Sequence, residues 1–157
     1  MTTASQRLHE LGERLPSVAA PAGAYLPAVR TGSLVFTAGQ LPIVDGRLAA
    51  TGKVGAEIDV AQAAGLARSC ALNALAAVDS LVGLDSVIRV VKITGFVASA
   101  PGFGGQPAVL DGASELIGQV FGDAGGHARS AVGVAELPKN APVEVEVVVE
   151  VTTEVWS

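Results

Sequence analysis

The chain has 157 residues, half of them hydrophobic, and a net charge of −5 with ten Lys and Arg in all. That length suits one domain, 1–157, with a proper core, and the scattered basic residues argue against wide contact with nucleic-acid phosphates. A lone cysteine, Cys70, rules out an intrachain disulfide and a Cys-rich metal site; no apolar run is expected to reach bilayer length, and residues 1–7 lack a signal pattern, so a cytoplasmic protein is expected.

Leu8, Leu11 and Leu15 recur at helical spacing, with Arg7, Glu10, Glu13 and Arg14 on the wet side. A short helix over 3–15 is predicted, with Ser5 as a candidate cap and Pro16 as its end. Residues 21–30 read as loop then strand, and Thr31-Gly32-Ser33 as a turn. Leu34 to Gly39 reads as a buried strand. Residues 40–55 look irregular, with Asp45-Gly46 as the best tight-turn signal and Arg47 in solvent beside it.

Asp59, with Gln62 three residues on, has the form of a capping box that opens a long helix. Its stripe runs Val60, Ala63, Ala64, Ala67, Ala71, Ala74, Val78 and Leu81, and Gly83 is its natural stop. So many alanines imply close approach to a sheet. Cys70 lies inside the helix as a small apolar filler. Residues 86–99 form a near-continuous hydrophobic strand, which suggests cover on both faces, with Lys92 reaching an edge or a partner. The loop 101–105 is not a phosphate loop, because no Gly-Lys-Ser/Thr follows. Pro107 suits the first turn of a second helix with the stripe Val109, Leu110, Ala113, Leu116, Ile117, Val120 and Phe121.

From Arg129 to Leu137 small and branched residues alternate; Pro138, Lys139, Asn140 and Pro142 then break the run. Beyond it Val143, Val145, Val147, Val149 and Val151 point one way, while Glu144, Glu146, Val148 and Glu150 point the other. The element order implies an α+β fold: a single mixed β-sheet with two long helices on one face, since both crossovers share one hand. The other face, half polar, lacks cover and suggests an oligomer.

Several segments carry a resemblance. The run Ala128-Arg129-Ser130, then Val132-Gly133-Val134-Ala135, Leu137-Pro138 and Val143-Glu144-Val145-Glu146, resembles the C-terminal signature of the RidA/YjgF family. Gly39-Gln40-Leu41-Pro42 resembles its glycine-glutamine motif, and Val90-Val91-Lys92 with Phe96-Val97 its central strand. The resemblance implies a chorismate-mutase-like fold, assembled as a homotrimer with clefts between subunits. It also implies hydrolysis of 2-imino or enamine acids to 2-keto acids and ammonia, without a cofactor or a metal. Residues 1–16 form a helical extension that the common form of the family lacks.

In that resemblance Arg129 holds a substrate carboxylate, which its planar fork suits. Glu144 would position the attacking water. Tyr25 would donate from its hydroxyl, and Gly39 would bring its backbone to the ligand. Ala131 stands where many members have Cys and keeps the backbone N–H. The plain alternatives are a surface arginine, a wet-face glutamate and a turn glycine; His127 is read as structural or exposed. A run of eight residues at ~3.3 Å puts Leu137 about 26 Å from Arg129, with Glu144 near that far end. If both serve one site, Glu144 comes from a neighbouring chain. Rival readings are a non-catalytic trimer that binds small carboxylates, a chorismate-mutase-type isomerase and a structural oligomer.

Overall fold

The computed structural model of the chain describes residues 1–153. Its elements are α1 (Ala4–Glu10), β1 (Ala28–Thr31), β2 (Leu34–Thr37), β3 (Ile43–Val44), β4 (Arg47–Leu48), α2 (Val60–Val82), β5 (Val87–Ala98), α3 (Gln106–Phe121), β6 (Ala128–Val134) and β7 (Val143–Val151). Five strands form one mixed sheet in the order β1-β2-β7-β5-β6. β5 and β6 run parallel, and the other neighbouring pairs are antiparallel. The α+β architecture expected from the pattern is the one observed, and α2 and α3 pack on the same face.

The period-two reading of β7 holds at every position. All five odd-numbered valines from Val143 to Val151 are buried beneath the helices, and the residues between them are half-buried on the open face. The apolar stripe of α3 is buried throughout. Two glycines mark close approach. A Cβ at Gly112 would collide with the backbone carbonyl of Ala64, so this residue sets the α2–α3 spacing, and one at Gly95 would run into Leu110. Leu75 on α2 is fully buried, so Leu75→Ala should cost about 2–5 kcal/mol.

Local differences have local causes. Helix α1 ends at Glu10, and its cap is Thr3, not Ser5. The Thr3 hydroxyl accepts from Gln6 N and the Gln6 side chain accepts from Thr3 N, a full capping box. At Asp59 the carboxylate accepts from Gln62 N, which is the half of that motif α2 needs. Gly83, at φ 82°, stops α2 as expected. Asp45 and Gly46, both at positive φ, turn the β3–β4 hairpin within the stretch read as irregular.

Three expectations are corrected. β2 is buried on one side: Val35 and Thr37 face inward while Phe36 is 43% exposed. β5 is covered by helices on one face; on the other, Thr94 and Phe96 are half-buried and Lys92 reaches solvent. Finally, α2 is long and apolar enough to cross a membrane by length and composition. Here those apolar residues serve as core instead, and Arg68 on the same helix pairs with Glu13 at 3.2 Å.

Candidate functional site

The residues singled out from the sequence fall into two groups. Tyr25, Gly39 and Glu144 surround one cavity of about 120 Å³. Arg129 and Ala131 lie elsewhere, on the sheet edge formed by β6.

The cavity exists because β2 peels away from β7. Their ladder covers Leu34 to Phe36 and resumes at the Gln40–Val145 bridge. Between these points the Thr37 hydroxyl accepts from Val147 N at 3.0 Å, in place of a backbone partner. Ala38 and Gly39 bow outward and make room. Gly39 lies against the Glu144 carboxyl group: a Cβ there would come within 2.9 Å of Glu144 Cδ, and closer to Oε1. Buried Asn73 of α2 fixes the next part of the wall, donating to the Leu41 and Ile43 carbonyls at 3.0 Å each.

Glu144 stands half-buried on the open face of the sheet. Burial pushes its carboxyl above the ordinary glutamate value, and the charge of Glu146 two residues on adds to the rise. A carboxyl held this way takes up and releases a proton nearer neutrality than a surface glutamate. Tyr25 is half-exposed at the cavity mouth. Its Oη accepts from Ala22 N at 3.1 Å, which leaves the phenolic O–H free to donate to a ligand. The segment Ala19–Ala22 supplies an apolar wall. Lys139 is the one cation lining the cavity among the described residues; it and Asn140 sit in the left-handed region, at φ 60° and 59°. Neither Lys139 nor this wall was singled out from the sequence; the Pro-Lys-Asn turn just before Glu144 was the available signal.

Arg129 points the other way. Period two along β6 puts it on the helix side, where Nη1 donates to Asp111 Oδ1 at 2.9 Å and Ser114 Oγ at 3.1 Å, and Nη2 to the Pro107 carbonyl at 3.3 Å. Ala131 shares that side and packs partly on the core. His127 belongs to this group as well, with Nε2 at 2.9 Å from Ser114 Oγ. Of the two readings of His127, structural or exposed, the structural one fits: it is half-buried and bonded to Ser114, the residue that also bonds Arg129.

Register fixes the distance between the groups. On the open face Glu144 sits opposite Phe96, which sits opposite Val132, while Arg129 is opposite Ile93. Arg129 and Glu144 are therefore about 10 Å apart along the strands and two strand spacings across, roughly 14 Å between Cα atoms. The 26 Å run expected from the sequence is too long for this separation, because pairing through β5 brings Glu144 level with Val132, three residues along from Arg129. The faces separate the two side chains more firmly than that distance does. One projects beneath the helices and the other from the bare face, so they do not meet within a chain.

An α+β sheet with two long helices on one face defines the class of fold. The comparisons give the family. Its description is Endoribonuclease L-PSP, and it matches residues 16–151, beginning where the helical extension ends. Protein TCP17 of Trypanosoma cruzi is 46% identical over 145 residues, 91% of each chain. The structure of Atu1372 from Agrobacterium tumefaciens, a protein of unknown function, is 46% identical with a TM-score of 0.88, covering 95% of this chain and 92% of that one. That of E. coli TdcF with bound serine is 28% identical with a TM-score of 0.60, covering 89% and 97%. The chain belongs to the RidA/YjgF/L-PSP family over its full length.

Proposed function

We propose that the protein hydrolyses small 2-imino acids to 2-keto acids and ammonia, at a site completed between copies of the chain in a homotrimer. The observation that carries this is the pairing of a raised, half-buried Glu144 with a free hydroxyl on Tyr25 in one small cavity. The cavity, about 120 Å³ within one chain, would take the imine end of such a substrate, and a neighbouring copy would enclose the rest.

In this reading Arg129 of one copy grips the substrate carboxylate. Tyr25 and Glu144 of a neighbour face the imine. Ionised Glu144 accepts a proton from water as it adds to the C=N carbon and returns it to the nitrogen, giving the carbinolamine; the hydroxyl proton then passes to the nitrogen as the C–N bond breaks, ammonia leaves and the carbonyl forms. Because such imines hydrolyse readily, orientation supplies much of what is needed. The bare face, where Phe36 and Val132 are exposed, is the surface on which a neighbour would pack. RNA cleavage, which the family description suggests, is the weaker reading: the chain is acidic, with a net charge of −5 and its ten Lys and Arg scattered.

The second reading is carboxylate binding without turnover, favoured by the serine bound to TdcF. The deciding assay generates 2-iminobutyrate with a dehydratase and follows the appearance of 2-oxobutyrate. Acceleration over buffer is expected. No acceleration with several imino acids at excess protein, while 2-oxobutyrate still binds, would establish the second reading.

A further inference from the structure

Arginine has five N–H donors in a rigid fork. Arg129 spends three of them on α3: two on Nη1, to Asp111 and Ser114, and one on Nη2, to Pro107 O. Among the described residues, Nε–H and the second Nη2–H have no partner. Nε–H and Nη2 share one edge of the guanidinium, the geometry that takes both oxygens of a carboxylate. The brace therefore leaves Nε–H on that edge unspent.

The brace also has a fixed polarity. The Gly125 carbonyl can only accept, so His127 Nδ1, 2.7 Å away, carries the ring proton. In the neutral ring Nε2 is then an acceptor, and it takes the Ser114 hydroxyl proton across 2.9 Å. The lone pairs of Ser114 Oγ are left for Arg129 Nη1–H. The hydrogen bonds run in one sense, from Arg129 through Ser114 and His127 to Gly125 O, and aligned bonds strengthen one another. Pro107, Asp111 and Ser114 fall on one face of α3 at spacings of four and three, while His127 and Arg129 share a side of the strand by period two.

We infer that Asp111, Ser114 and His127 are positioning residues for carboxylate recognition: they hold Arg129 in one rotamer and leave its Nε–H for a ligand. The inference rests on the reading of Arg129 as the carboxylate anchor. A lysine-like swinging arm would bind with a large loss of side-chain freedom; a braced fork has lost it beforehand.

The test measures 2-oxobutyrate affinity by calorimetry, with kcat and KM for 2-iminobutyrate. Ser114→Ala and Asp111→Ala should each weaken binding on the order of tenfold, as expected for a lost bond to a charged group. They should raise KM to match and leave kcat within about twofold. Ser114→Thr, which restores the hydroxyl, should recover most of the affinity; a merely structural role for Ser114 would show no such split or rescue. If Asp111→Ala does not fold, Ser114→Ala, which removes one oxygen atom, decides. Wild-type affinity in the Ser114→Ala variant, alongside loss of binding in Arg129→Ala, would overturn the inference and leave the anchor reading standing. Wild-type affinity in Arg129→Ala would overturn both.

Discussion

The β6 edge and the cavity between β2 and β7 lie about 14 Å apart, yet they are built on opposite terms. At the edge a cation is surrounded by partners on α3, and its Nε–H is left unspent among the described residues. In the cavity a carboxyl is kept short of partners and half-buried, which raises its pKa. One region is organised to hold a charge still; the other keeps a proton ready to move. The sheet lies between them, so the two side chains do not meet within one chain. The difference suggests a division of labour, with binding on one surface and chemistry on the other, joined by assembly.

Breaking the binding side should give the largest effect. Arg129→Ala should weaken 2-oxobutyrate affinity on the order of a hundredfold by calorimetry, since it removes a bidentate charged contact. Arg129→Lys should recover little, because a point charge cannot span both oxygens. Breaking the chemical side should spare binding: Glu144→Gln should lower kcat on the order of a hundredfold, the low end of general acid–base contributions, with affinity nearly unchanged. The wild-type rate should also fall on acidification at a pH above the ordinary glutamate value, and Glu144→Gln should abolish that limb. Equal losses of affinity in both variants would erase the proposed division. Gly39→Ala sharpens the comparison from within the cavity. Its Cβ would displace the Glu144 carboxyl, and activity should drop about tenfold with little change in unfolding temperature.

The smallest effect is on stability. Folded Glu144 holds its proton more tightly than the unfolded chain does, because its pKa is raised. In the window between the unfolded and folded values the native state binds more protons. Stability contributed at lower pH is therefore lost as pH rises through the folded pKa. Urea midpoints across that window should decline in the wild type and flatten in Glu144→Gln.

Much of the fold was legible where a pattern is local. The alternation of β7, the α3 stripe, Gly83 and the Asp45-Gly46 turn each follow from neighbouring residues. What was not legible depends on long-range register. The insertion of β7 between β2 and β5 brings Glu144 to Gly39, residues 105 positions apart, and no local signal encodes that. The 26 Å estimate failed for the same reason: the distance is set by pairing through β5, not by the length of the run. The brace on Arg129 was hidden because Asp111 and Ser114 lie outside the apolar stripe of α3, and only the β5–β6 pairing brings Arg129 to them. The two groups of site residues were each identifiable by type; their separation onto opposite faces required the register.

Subunit mixing tests that separation most directly. Arg129→Ala and Glu144→Ala proteins, each inactive alone, are dissociated, mixed and reassembled, with mixed oligomers verified by native mass spectrometry. The account predicts partial return of 2-iminobutyrate hydrolysis, because some interfaces then join a wild-type Arg129 to a wild-type Tyr25–Glu144 cavity. Confirmed mixed oligomers with no recovered activity would contradict it.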